Sequence, residues 1–196
     1  MTVVVSKDIE KALASGAPVV ALETAVLTAG LPRTCWNDSF GPLPATIDGT
    51  QPINIALADA MTNAVESNGA IPAWISVVDG VLRIGLSSEE RFALCNDLNA
   101  GKVSLATFAQ TMQRKNSAGT TVAATLLACK LASKHNPIRI FATGGIGGIH
   151  QNWARQLDVS ADLTALATTP TCVVASGAKS ILDIPATVAA LETIGV

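Results

Sequence analysis

Lys179 lies in VVASGAKSILDIP, residues 173–185, an apolar segment of a chain with only 14% charged residues. A lysine among apolar side chains loses hydration of its ammonium, and its pKa falls. The neutral amine can then attack a carbonyl or a sugar carbon. Asp183 offers a different outcome. On one helix, Lys179 and Asp183 would be i,i+4 neighbours, and the pair would keep the ammonium charged. Pattern alone leaves both open.

Three other places could carry chemistry. Glu23 follows the apolar run Pro18–Leu22. A carboxyl at a strand end is either solvated or partly desolvated. In the second case its pKa rises and it can carry a proton near neutrality. DVSAD (158–162) puts Asp158, Ser160 and Asp162 within five positions. Such oxygen ligands suit Mg²⁺ or Mn²⁺, and the same residues suit a helix start capped by Ser160 or Asp162. FATGGIGGIH (141–150) has four glycines after an expected strand. It is either an anion loop with converging N–H groups or a turn where segments pack closely. No Gly-Lys-Ser/Thr follows, so it is not a nucleotide P-loop. His150 closes the stretch as a hydrogen-bonding or a catalytic group. His135, beside Asn136-Pro137, reads as a surface turn residue.

Residues so far apart in the chain need a layered scaffold to meet. Pro18–Leu22, Ile138–Ala142 and Cys172–Ala175 read as buried strands. Ala73–Val78 and Val81–Ile84 flank Asp79-Gly80 and read as a hairpin. Ile55, Ala58, Met61 and Val65 share a helical face that stops at Asn68-Gly69. Ser87 and Glu90 form a capping box, and Thr120–Ser133 is a further helix. Ala186–Thr193 reads as helix, and Ile194–Val196 as the start of a strand. Alternating strands and helices predict an α/β fold, layered α/β/α around a central mixed sheet. Leu31–Pro52, with four prolines, reads as an irregular insertion in one domain spanning 1–196.

Composition narrows the function classes. The chain has 196 residues, 49% of them hydrophobic, enough for a sizeable core. Thirteen basic and fifteen acidic residues are scattered, which argues against nucleic-acid binding. No apolar run suits a membrane span, and the first residues lack the pattern of a secretion signal. Cys35, Cys95, Cys129 and Cys172 have no zinc spacing and read as small core residues of a cytoplasmic protein.

The ordered set of segments resembles the pseudouridine-5′-phosphate glycosidase family, also called the indigoidine synthase A family. The matching blocks are VALETAVLTAGLP (20–32), VVDGVLRIGLS (77–87), GKVS (101–104) and AGTTVAAT (118–125). FATGGIGGIH, DVSADLTALATTP (158–170) and GAKSILDIPATVAALETIGV (177–196) follow in the family's order. The resemblance implies that Lys179 is a Schiff-base nucleophile and Glu23 a proton donor. It implies Asp158 as a Mn²⁺ ligand and Ser160, Ala161 and Asp162 as substrate contacts. Lys102 and Val122 would be further contacts around the phosphate, with Gly144, Gly145 and His150 joining them. The implied reaction is reversible hydrolysis of pseudouridine 5′-phosphate to uracil and ribose 5-phosphate, in a homotrimer. Departures are the 31–52 insertion and a smaller excess around Lys134–Pro137. The family also continues beyond the segment matching Val196, with an asparagine contributed to the site, so the matched fold is expected to be incomplete. Two rival readings are a class I aldolase-like Schiff-base lyase on another sugar phosphate, and an inactive homologue or interaction subunit.

Overall fold

The computed structural model describes residues 1–196. Strand β1 (Val3–Val5) leads into helix α1 (Lys7–Ser15), which Ser6 caps. Strand β2 (Val19–Glu23) ends in a π-helical turn at Val26–Gly30. Helix α2 (Ile53–Ser67) then precedes β3 (Ile71–Val78) and β4 (Val81–Ile84). Helix α3 (Ser88–Asn96), β5 (Gly101–Val103), α4 (Phe108–Gln113), β6 (Ala118–Thr120) and α5 (Val122–Leu131) follow. The last elements are β7 (Ile140–Thr143), α6 (Ala161–Thr168), β8 (Cys172–Ala175) and α7 (Ile184–Ile194).

One sheet runs in the order β1-β4-β3-β2-β7-β8, with β6 branching from β3 and β5 pairing β6. β2 is parallel to both β3 and β7, and β7 is parallel to β8. The β3–β6 pair is antiparallel, and so is the β3–β4 hairpin. Its turn places Asp79 at φ 49° and Gly80 at φ 76°, the left-handed pair that a tight hairpin requires. The expected mixed sheet is therefore present and mostly parallel.

Alternation along β2 decides which layer each side chain enters. Val19 and Ala21 join Phe141, Ala124 and Leu126 in one apolar cluster under α1, α5 and α6. Leu22 packs with Trp74, Ile55 and Leu94 beneath α2 and α3 on the other face. Layers thus lie on both sides of the sheet, the α/β/α arrangement that period-two strands and helical periodicity predict.

The capping box at Ser87–Glu90 forms, and Gly69 ends α2 with φ 76°. Three details differ from expectation. Ile194–Val196 does not start a strand: Ile194 ends α7 and Gly195 caps it at φ 80°. Cys95 and Cys129 are buried, but Cys35 and Cys172 are exposed, because one sits in the insertion and the other on an edge strand. The helix expected over Thr120–Ser133 is shorter, Val122–Leu131, because Thr120 ends strand β6. The insertion is irregular. Cys35 and Pro52 pair as an antiparallel bridge at its base. Above them, Trp36 donates to the Gly41 carbonyl (2.9 Å) and stacks tilted on Phe40.

Candidate active site

β2 is the strand at which the chain changes direction across the sheet: β3 is laid down on one side and β7 on the other. The carboxyl ends of such strands form a crevice. Glu23 is the last residue of β2 and faces the same layer as Ala21. The β2–β7 register pairs Ala21 with Phe141 and Leu22 with Ala142, so Thr143 is the next neighbour of Glu23. Thr143 donates a hydrogen bond to Glu23 Oε1.

Glu23 is 8% exposed. Desolvation by burial holds its pKa above the usual carboxylate value of 4.5. The Thr143 hydrogen bond and the Lys179 charge oppose that shift, and the Asp162 charge adds to it. Of the two outcomes open for Glu23, the structure adopts the desolvated one. It also brings Lys179 and Asp162, over 130 positions away in sequence, within electrostatic reach of β2.

The glycine-rich segment is the bracket that does this. Ile146 donates to the Gly177 carbonyl (3.0 Å), and the Lys179 N–H donates to the Ile146 carbonyl (3.1 Å). On the other side, Ser160 N–H donates to Gly148 O (2.8 Å) and His150 N–H to Asp158 O (3.0 Å). The segment is thus sandwiched between 158–160 and 177–183. A Cβ on Gly147 would collide with Ser160 and Asp162, and one on Gly148 with Thr187. The N–H groups of Gly145, Gly147 and Ile149 donate to Thr143, Asp162 and Thr187. With Ile146 also bonded, these amides are already satisfied. Most of the stretch is therefore a close-packing turn, its amides at Gly145, Ile146, Gly147 and Ile149 turned to the protein. Gly145 is buried, and only Gly144 of the two expected contacts is exposed.

Lys179 differs from expectation. It is exposed and not enclosed by apolar side chains, because Val174, Ser176 and Gly177 before it are exposed as well. Nor does Asp183 clasp it. Asp183 is the cap of α7, with its carboxylate accepting from Ala186 N–H (3.0 Å), and Lys179 lies outside that helix. The Lys179 charge reaches Glu23 without a direct ion pair.

The DVSAD segment divides its labour. Ser160 caps α6, accepting from Asp162 N–H (3.2 Å). Asp162 is buried and accepts from Ala123 N–H (2.9 Å) at the start of α5 and from Gly147 N–H (2.8 Å). Both its oxygens are engaged, so its carboxylate ties α5, α6 and the glycine turn together. Ala161 is exposed in the first turn of α6. Asp158 is exposed, and its Oδ2 lies 3.9 Å from Nδ1 of His150, which is half-buried. No group of three His, Cys, Asp or Glu side chains is arranged to hold a metal. A cation at Asp158 would have one protein carboxylate, with its remaining ligands from water or a bound phosphate. The donor set does not fit a closed cage.

Lys102 is exposed on β5 at this end of the sheet. Thr28 donates to the Gly101 carbonyl (2.8 Å), and Thr120 N–H donates to Thr24 Oγ1 (3.1 Å), which ties β5 and β6 to the turn after Glu23. Val122 corrects an expectation: it is fully buried in the core under α5 and presents no surface to a ligand. Thr143 is the site residue that motif reading missed. It lies two positions after the inward-facing Phe141, so strand alternation puts it on the Phe141 face, and the β2–β7 register sets it against Glu23.

A cavity of about 640 Å³ at the amino end of β3 is lined by Trp74, Arg83, Glu90 and Arg91. Both guanidinium groups are already paired there, Arg83 with Glu90 and Arg91 with Asp59. The titratable groups of the candidate site are elsewhere, at the carboxyl end of β2.

A family model described as indigoidine synthase A like protein matches residues 46–196. A pseudouridine-5′-phosphate glycosidase of Dinoroseobacter shibae is 44% identical over 192 residues, 98% of this chain and 56% of that protein. The one from Glaesserella parasuis is 38% identical over 193 residues, 98% of this chain and 57% of its own length. Among solved structures, the prealnumycin C-glycosynthase AlnA in complex with ribulose 5-phosphate matches with a TM-score of 0.79 at 33% identity. That match covers 100% of this chain and 56% of AlnA. An indigoidine synthase A-like protein from Thermotoga maritima matches with a TM-score of 0.76 at 29% identity and the same coverage. The chain spans about half the length of the curated relatives it matches.

Proposed function

Because the chain belongs to the indigoidine synthase A-like family, we propose that its site works on the C-glycosidic bond of pseudouridine 5′-phosphate, releasing uracil and ribose 5-phosphate. The observation that carries the reading is that one short stretch at the carboxyl end of β2 holds both groups: Thr143 bonds to the Glu23 carboxyl, and Ile146, three residues on, holds the Lys179 N–H. An acid with raised proton affinity beside an amine is what this bond demands. A C-glycoside has no heteroatom leaving group, so the usual carboxylate pair of glycosidases is ill suited.

In the proposed sequence the Lys179 nitrogen bonds to the anomeric carbon as the bond from that carbon to the ring oxygen breaks. The ring oxygen takes up a proton and the nitrogen gives one up. The bond to the uracil carbon then breaks, with its electron pair leaving on uracil while nitrogen and sugar carbon form an iminium. The uracil carbon gains a proton, and water hydrolyses the imine to ribose 5-phosphate and free lysine. Glu23 is the group that holds and moves the protons. Burial raises its proton affinity, so it can accept a proton from the attacking amine and return one to the departing base.

Lys102, on the same end of the sheet, is proposed to meet the phosphate. Asp158 would hold Mn²⁺ together with substrate oxygens, and a bound ion there would supply positive charge against the phosphate. Loss of saturable Mn²⁺ binding in Asp158→Asn, read by electron paramagnetic resonance, is the expected mark of that role. A homotrimer is the proposed assembly, checked by light scattering.

Uracil release from pseudouridine 5′-phosphate tests the reading, with Lys179→Ala expected to abolish it. Retained release in that variant would overturn the covalent route. AlnA, named as a C-glycosynthase, favours a second reading in which the same amine and acid form a C-glycosidic bond to an acceptor other than uracil. Incubation of ribose 5-phosphate with uracil and with a panel of other carbon nucleophiles, followed by mass spectrometry, separates the two.

A further inference from the structure

We propose that Thr143 is a positioning residue for Glu23: its hydroxyl, oriented by the Gly145 N–H, fixes the Glu23 carboxyl and favours its ionised form once the proton has left. The inference rests on the reading of Glu23 as the proton carrier.

The geometry has three parts. Glu23 and Thr143 are cross-strand neighbours at the ends of β2 and β7, and each is 8% exposed. Thr143 Oγ1 accepts from the Gly145 N–H (3.3 Å) and donates to Glu23 Oε1. A hydroxyl has a single proton, and an ionised carboxylate can only accept, so the direction of this chain is fixed whenever Glu23 is ionised. The donated N–H also polarises the hydroxyl and strengthens its bond to the carboxylate.

The charged groups facing Glu23 are Lys179, from the turn before α7, and Asp162, from α6. Lys179 is exposed and Asp162 is buried. The nearest β3 residue in register is Ile75, which carries no charge. Thr143 is therefore the one neutral donor built against this carboxyl from within the sheet. When Glu23 gives its proton to the reacting molecule, a buried anion remains. The hydroxyl is already aimed at it and needs no reorganisation at that moment. The same Gly145 amide begins the turn whose Ile146 carbonyl holds the Lys179 N–H, so acid and amine are set by one short stretch of chain.

The test is the titration of the Glu23 carboxyl in the full chain, read by ¹³C NMR of glutamate-labelled protein, for wild type and Thr143→Val, Thr143→Ala and Thr143→Ser. Loss of the hydroxyl is expected to move the midpoint upward, and serine is expected to return it. The basic limb of the kcat profile for uracil release should move upward with it in the valine variant. There kcat should fall about tenfold, with KM little changed, as for loss of a hydrogen bond to a charged group. The alanine variant serves if valine prevents folding. An unchanged midpoint in a folded variant lacking the hydroxyl would overturn the proposal, as would failure of serine to restore it. If wild type releases no uracil while the midpoint still moves, the positioning role stands and the catalytic reading falls. If wild type turns over and the midpoint stays, the reverse holds.

Discussion

Glu23 and Lys179 are the pair on which the proposed chemistry turns, and the chain treats them oppositely. The carboxyl is buried and the amine is exposed. Burial of the carboxyl has a cost that can be measured. Its folded pKa is raised above 4.5, so the folded state binds the proton more tightly than the unfolded chain. The contribution of Glu23 to stability is thus fully present below the unfolded value and declines as pH rises through the window up to the folded value. Above that window the ionised carboxyl is a burden. Glu23→Gln is expected to raise the melting temperature at neutral pH and to match wild type in the acid range, as read by calorimetry across pH. An equal gain at all pH values would show that burial of the charge is not the cause. This outcome was only half legible in the sequence. A strand-end glutamate can be solvated or buried, and the choice rests on β7 and Thr143, which lie 120 positions away. The apolar residues around Lys179 misled for a similar reason. They lie on an edge strand and a turn, where hydrophobic side chains remain in contact with water.

At the scale of elements, the glycine turn and Asp162 form the joint that gathers the site. Asp162 ties the amino end of α5 to the glycine turn through two charge-assisted bonds, in a buried place where the donors would otherwise lack partners. Asp162→Ala is expected to cost about 3 kcal/mol or more in stability, measured by urea unfolding. A change below about 1 kcal/mol would show that water or a neighbour replaces the carboxylate. Gly148→Ala meets Thr187 and is expected to destabilise for a steric reason, with partial recovery in the Gly148→Ala/Thr187→Ser double variant measured in the same way. The elements themselves were largely readable: the Asp79-Gly80 turn, the capping box at Ser87 and the Ser160 helix start all appear. These signals are local, carried by residues within a few positions. What was not readable is how the glycine amides are used. Whether they face a ligand or the protein depends on Thr143, Asp162 and Thr187, contributed by three elements.

At the scale of the molecule, the switch at β2 explains why residues from both ends of the chain gather at one end of the sheet. The insertion between β2 and α2 stands apart from that logic. Its base is closed by the Cys35–Pro52 bridge, with the Ile53 N–H on the Thr34 carbonyl (3.0 Å) and the Asn54 N–H on the Pro32 carbonyl (3.2 Å). Its main side-chain contacts, Trp36 on Phe40 and Asp48 with Thr50 and Gln51, are internal. Replacing residues 36–51 with a two-residue Asn-Gly turn is expected to leave the fold intact, with stability within about 1 kcal/mol of wild type by thermal melting. Loss of a cooperative melt would show that the insertion supports the core.

The most direct measurement is reduction with borohydride in the presence of ribose 5-phosphate, followed by peptide mass spectrometry. One sugar phosphate should become fixed to Lys179, and Glu23→Gln should slow its formation. Absence of an adduct, or an adduct that persists on another lysine when Lys179 is replaced by alanine, would contradict the amine chemistry assigned to this site.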